Sequence, residues 1–364
     1  MAKKKKRFAF QPDYVVGPGM TLSELLDEKG LRPTDLAQRS GISSKAISNI
    51  INSKASITNS IALKLENVLG LPASFWSKLE SDYQETKIRN AEFDSLALKA
   101  EFLSSVPVNE LAKRGFVEKL GDKTQLAQSV LAFFGVSSPD SFNDTWITSG
   151  VQFRGAKDAA NKRPGYVAAW LRVGELEAQD IKCGPYSKSK FLECLGKIRR
   201  LTRENMQDAI TEAKKLCAEC GVALVVVKGI AGASVSGATR WLKGKAVIQL
   251  SLKYKSDDQF WFTFFHEAGH VVLHGKKSVF IEDGYSADTV EEQQANEFAA
   301  NLLIPKQYLS QLPFLRSKNQ IRSFANNLSI APGIVVGRMQ HDKYLSQSHC
   351  NDLKRKIQWS EDAS

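Results

Sequence analysis

An apolar run, Phe260-Trp261-Phe262-Thr263-Phe264-Phe265, passes directly into His266-Glu267-Ala268-Gly269-His270. On a helix, residues four apart are neighbours, so His266 and His270 can present two imidazoles to one cation. Glu267 falls beside them. In an H-E-x-x-H arrangement that carboxylate stands near the open coordination position, where it takes a proton from water and later delivers it to a leaving amine. The chemistry implied is metal-assisted hydrolysis of an amide. The competing account is a buried aromatic helix whose histidines are satisfied by hydrogen bonds.

Histidine is scarce in the chain. Only five occur in 364 residues, and His266, His270 and His274 fall within nine positions of one another. A metzincin needs Gly at 273 and His at 276, where Leu273 and Lys276 stand, so that family is excluded. His274 is two turns from His266, roughly 12 Å along the axis, too far for all three to bind one zinc. It is expected to support the ligands from behind, or to cap the helix end before Gly275. Downstream, Glu291 to Pro305 reads as a second helix with apolar residues at Ala295, Phe298, Ala299, Leu302 and Leu303. Glu292 and Asn296 share a face, a spacing in which the first can ligate and the second can hydrogen-bond a ligating imidazole. Glu291 is the rival ligand, one position off that face. The expected centre is one Zn2+ per chain, held by His266, His270 and Glu292, with Glu267 as base and an open fourth position.

Residues from about Gly221 to Pro305 resemble the ImmA/IrrE family of zinc peptidases in the H-E-x-x-H helix, the following His274, and the helix from Glu292 through Asn296 and Phe298 to Pro305. The resemblance implies a gluzincin-like metallopeptidase that acts on protein, often a repressor, in bacteria and mobile elements. Gln294 departs from the pattern, standing where many members carry a second Glu.

The N-terminal stretch has its own signature. Thr21-Leu22-Ser23-Glu24 fits a capping box opening a first helix that ends at Gly30. Pro33 suits the first turn of a second helix, stopped by Gly41, and Ser43 or Ser44 caps a third running to about Asn52. Ala37, Gly41 and Ile47 carry helix-turn-helix spacing: a small residue at the crossing, a turn glycine, then a buried apolar residue. The third helix then offers Ser43, Ser44, Lys45, Ser48, Asn49 and Asn52 to base edges and phosphates. A helix over Thr58 to Leu69 and a fifth starting near Leu71-Pro72-Ala73-Ser74-Phe75-Trp76 complete the module. This module resembles the XRE class, and the run from Pro18-Gly19-Met20 to Phe75-Trp76 is similar to HigA-type antitoxins. That resemblance implies binding to operator DNA as a homodimer.

A net charge of +11 favours an acidic partner, nucleic acid before anionic membrane. Lys3 to Arg7 can serve as an arm on DNA phosphates or as a solubilising tail. No apolar run approaches the roughly 18 residues that span a bilayer, so no membrane partner and a cytoplasmic location are expected. Five cysteines, an odd number, do not suggest a disulfide framework. Cys217-Ala218-Glu219-Cys220 is a lone C-x-x-C, accounted for as a helix end leading into a strand over Val222 to Val227.

The expected organisation is a multidomain chain, an all-α helix-turn-helix domain plus an α+β metallopeptidase domain with a small mixed sheet and an active-site helix. Its parts are a basic arm at 1–18, the DNA-binding domain at 19–90, a helical connector at 91–205, the peptidase at 206–310 and a C-terminal helical subdomain at 311–364. Within the connector, helices are expected over Val108 to Leu120 and Lys123 to Phe134. Ala246 to Leu252 alternates as a strand, expected at the sheet edge where substrate peptide could add. Gln320 to Gln340 weakly echoes the helix-turn-helix spacing through Ala325, Ser329 and Val335. The function these features imply is a bacterial regulator that binds operator DNA and cleaves a regulatory protein, a repressor or toxin-like partner, or itself. The alternative is an antitoxin or repressor whose peptidase-like domain senses zinc or a ligand without turnover.

Overall fold

A computed structural model describes residues 16–148, 163–253, 255–274, 280–282 and 289–357. Lys3 to Arg7 and most of the 1–18 arm lie outside the described residues, as does Gly275. The chain divides into two compact units, Met1–Lys99 and Ala100–Ser364. Among the described residues, no helix is long and apolar enough to cross a membrane.

The first unit is helical: α1 (Pro18–Glu28), α2 (Pro33–Ser40), α3 (Ser44–Ile51), α4 (Asn59–Leu69) and α5 (Ala73–Leu98). Pro18 opens α1, because its fixed φ suits a first turn and its missing N–H is not needed there. Thr21 and Glu24 therefore fall inside the helix, and the expected capping box does not form. Gly41, at φ 65°, turns the chain between α2 and α3 in the left-handed region open to glycine. Ser43 caps α3, its Oγ accepting the Ala46 N–H at 3.2 Å. Leu36, Ile47 and Ile50 meet Leu22, Leu65 and Trp76 in a closed apolar core. The fifth helix runs on to Leu98.

The second unit begins with α6 (Val108–Lys113), α7 (Lys123–Phe134), α8 (Pro139–Phe142), α9 (Pro164–Asp180), α10 (Lys188–Leu201) and α11 (Met206–Glu219). The helix expected to reach Leu120 stops early, where Gly115 takes φ 81° and the Phe116 N–H returns to Leu111 O. Strands β1 (Val222–Val226), β2 (Gly237–Leu242) and β3 (Lys245–Leu250) follow, then α12 (Asp257–Leu273), β4 (Phe280–Glu282), α13 (Val290–Leu303), α14 (Lys318–Leu328) and α15 (Pro332–His341).

The sheet order is β1-β3-β2-β4, with β1 parallel to β3 and the other pairs antiparallel. The expected edge strand is therefore interior: β3 is bonded on both sides, and β1 and β4 form the edges. A two-residue turn at Lys243 and Gly244, both at positive φ, closes the β2–β3 hairpin, a turn whose twist matches that of the strands.

Period-two alternation assigns each sheet face a helical cover. Ala246, Ile248 and Leu250 share a core with Phe264, Phe265 and Ala268 of α12. On the opposite face, Gln249 donates to Trp170 O at 2.7 Å, and Arg240 bonds Leu171 O and Glu175, all on α9. The sheet is thus sandwiched between α9 and α12. A helix buried nearly all round, as α12 is, has to be enclosed by several elements.

The N-terminal end of α12 is tied to the end of the chain. Asp257 accepts from Arg355 Nε at 2.9 Å and from the Arg355 N–H at 3.0 Å, and Lys354 Nζ lies 2.7 Å from Asp258. Arg355 also donates to Arg203 O at 3.1 Å, joining α12 to the segment after α10. Arg355→Ala would take the guanidinium from the buried Asp257 carboxylate and leave it only the backbone N–H groups of residues 258 and 355, so the unfolding free energy is expected to fall by about 2–3 kcal/mol, less than for a buried charge with no partner left. Denaturant midpoints would check this, and a loss below about 1 kcal/mol would reject the pairing as a structural tie.

Candidate metal centre

The site is assembled where α12 and α13 pack together. His266 and His270, one turn apart on α12, have their Nε2 atoms 3.0 Å from each other. Glu292, in the first turn of α13, brings Oε2 to 3.1 Å from His266 Nε2 and Oε1 to 3.4 Å from His270 Nε2. All three side chains are buried, and their ligand atoms lie within 4.8 Å of one another. Local chemistry places Glu292 there. Thr289 caps α13, its Oγ1 accepting the Glu292 N–H at 3.2 Å, while the Glu292 carboxylate turns to the histidines. Glu291, the rival, is outside this group.

The outward nitrogens define the tautomers. Asn296 Oδ1 is 2.9 Å from His266 Nδ1, so that nitrogen donates and the lone pair is left on Nε2. Gln294 Oε1 is 3.0 Å from His274 Nε2, and His274 Nδ1 is 2.9 Å from His270 Nδ1. A neutral His274 that donates to Gln294 must accept from His270, which again leaves the lone pair on Nε2. His274 is the C-cap residue that follows Leu273, its backbone N–H bonded to His270 O, and its ring bridges His270 and Gln294.

Two imidazole lone pairs and a carboxylate directed at one buried point repel unless a cation lies between them. Burial pushes the His270 imidazole down to about 4, keeping it neutral. Four ligands at ~2.1 Å around a tetrahedral zinc stand ~3.4 Å apart, close to the separations seen here. The donor set therefore fits zinc.

Glu267 is completely buried beside this group. Thr239 of β2 donates its hydroxyl to Glu267 Oε2 at 2.6 Å and also lies 3.0 Å from Glu267 O. Gly237, two residues earlier on the same strand face, leaves room for the carboxylate, since a Cβ there would stand 2.5 Å from Oε1. Gly269 does the same between the helices, where a Cβ would come within 3.1 Å of Ala295. Neither Thr239 nor Gly237 was signalled by the motif, because β2 pairs with α12 across 28 residues.

In the first unit, Ser43, Ser44, Lys45, Ser48 and Asn52 are exposed along α3, and Asn49 is half-buried. Ser43 is committed to the cap, and Asn52 Nδ2 donates to Ser48 O at 2.7 Å.

Residues 225–328 match the peptidase M78 family model, described as an IrrE N-terminal-like domain. Residues 22–76 match a helix-turn-helix model. No curated protein matches the chain. The chain thus joins a helix-turn-helix DNA-binding domain to an IrrE-like peptidase domain.

Asn296→Ala and His274→Ala are each expected to weaken zinc affinity by about 10–100-fold without abolishing it, as loss of an imidazole-orienting partner does. Competition with a chromophoric chelator measures this, and unchanged affinity in both variants would reject the orienting role.

Proposed function

We propose that this protein is a transcriptional regulator that binds operator DNA through α2 and α3 and hydrolyses a peptide bond in a regulatory protein at a zinc site formed by His266, His270 and Glu292. The convergence of two imidazole Nε2 atoms and one carboxylate at a buried point beside Glu267 carries this reading. The similarity to HigA-type antitoxins supports a homodimer on DNA, with a repressor, a toxin-like partner or the chain itself as substrate.

When bound, zinc supplies Lewis acidity for the attacking water and the scissile carbonyl. The protein supplies the proton path. Proton transfer is assigned to the Glu267 carboxylate, oriented by the Thr239 hydroxyl, which takes the proton of the attacking water and passes it to the departing amine nitrogen. Asn296, and His274 with Gln294, keep the ligating rings turned.

Glu267→Gln is expected to lower cleavage of the cognate protein by about 10²–10⁴-fold while zinc content and operator affinity stay unchanged. Retained proteolysis would reject the mechanism, and a zinc-dependent change in operator affinity without any cleavage product would replace it with sensing. For the DNA contact, Lys45→Ala should weaken binding about equally across sequences and reduce the slope of log K against log salt by about 1. An unchanged slope would take Lys45 off the phosphate backbone.

A further inference from the structure

One face of α5 is polar and lines a cavity within the first unit. Glu80, Tyr83, Gln84 and Lys87 share that face by helical spacing, and the cavity, of about 230 Å3, has as its other wall the turn after α3, with Lys54 and Ser56. The turn is fixed to the end of α3, because the N–H groups of Lys54 and Ala55 both reach Asn49 O, at 2.7 and 3.1 Å.

Glu80 is 8% exposed, and both of its oxygens accept from neutral donors, Oε2 from the Ile57 N–H at 2.9 Å and Oε1 from Gln84 Nε2 at 2.8 Å. A carboxylate withheld from water calls for a cation or a full set of donors, and two donors leave about half of its lone-pair sites open. Among the described residues no cation pairs with Glu80, and Lys54 and Lys87, which line the same cavity, pair with no carboxylate. One space thus holds a buried carboxylate and two unpaired ammonium groups.

We propose that this cavity binds a free polar α-amino acid, its ammonium on Glu80 and its carboxylate on Lys54 and Lys87. A simple anion would meet Glu80 and a simple cation would meet the two lysines, whereas a zwitterion satisfies both. The volume is below the roughly 300–1,000 Å3 of sites for drug-sized ligands, which suits a molecule this small. Gln84 Nε2 also reaches Ser56 Oγ at 3.3 Å, which leaves the Gln84 carbonyl and the Ser56 hydroxyl proton for a polar ligand side chain. Because the same turn closes α3, occupancy would bear on the helix proposed above to read DNA. That consequence rests on the regulatory reading, while the binding itself does not.

The test titrates the full-length protein calorimetrically with each of the twenty free L-amino acids in turn, then with the N-acetyl and α-amide forms of the tightest binder. Saturable binding of at least one polar amino acid is expected, weakened about tenfold or more by either blocking group, since each removes one charged partner. The Lys54→Ala/Lys87→Ala double variant should weaken binding as the α-amide does. Glu80→Gln, which keeps an acceptor for the Ile57 N–H, should weaken it as the N-acetyl group does. Failure of all twenty to bind would overturn the proposal, as would undiminished binding of either blocked form. Binding that persists unchanged in the double lysine variant would place the amino acid elsewhere, at the metal centre for example, and would overturn the site. The blocked ligands are tested on the unaltered chain, so their result stands whether or not Glu80→Gln folds.

Discussion

Asp257, Asp258, His266, Glu267 and His270 lie on one helix that is almost wholly withheld from water, and the rest of the second unit is arranged around satisfying them. Buried ionisable groups are tolerated only with partners. Those partners come from three separated parts of the chain, Lys354 and Arg355 near its end, Thr239 on β2, and Glu292 and Asn296 on α13, and from His274 at the end of the helix itself. Each partner pins one element against α12. A helix this apolar would be buried in any fold, but its polar atoms decide which elements surround it and in what register.

The parts of this arrangement that were legible in the sequence are those set within one or two turns of helix. His266 with His270, and Glu292 with Asn296, follow from 3.6-residue periodicity, and the stop at Gly41 and the cap at Ser43 follow from turn chemistry. Thr239 and Gly237 were not legible because their roles depend on contacts between elements distant in sequence. Local rules also misled where two satisfied the same atoms. Thr21 and Glu24 had the residues of a capping box, but Pro18 had already started the helix. Ala246 to Leu252 alternated as a strand should, yet alternation gives the face that each residue occupies and says nothing about which strands lie on either side. β3 sits between β1 and β2, and a strand bonded along both edges cannot take another.

Turn geometry and its use are separate matters, and this chain contains both sides of the distinction. α2 and α3 are joined across Gly41, and α14 and α15 across Ser329, which also adopts a left-handed conformation. In both pairs the second helix begins three residues after the turn residue. In the first, one side of α3 faces solvent. In the second, Ile334, Val335, Val336 and Met339 are buried in the core shared with α12, so α15 has no apolar face to spare and serves as a wall. The sequence echo between 320–340 and 36–47 therefore reflects a shared turn, while burial assigns the two pairs different work.

The candidate metal donors and the proposed base are held by different parts of the fold. α13 supplies Glu292 as a ligand, Asn296 to orient His266, and Gln294 to fix His274 and through it His270. These constraints on the three donors lie within the α12–α13 pair. Glu267 projects from the same turn of α12 but is held by Thr239 on β2, beside the glycine that makes room for it. Loosening β2 would leave the donors in place while freeing the carboxylate, and loosening α13 would scatter the donors while leaving the carboxylate bonded. On the proposed reading, binding a cation and using it are therefore separable by mutation, even though His266 and Glu267 are adjacent residues.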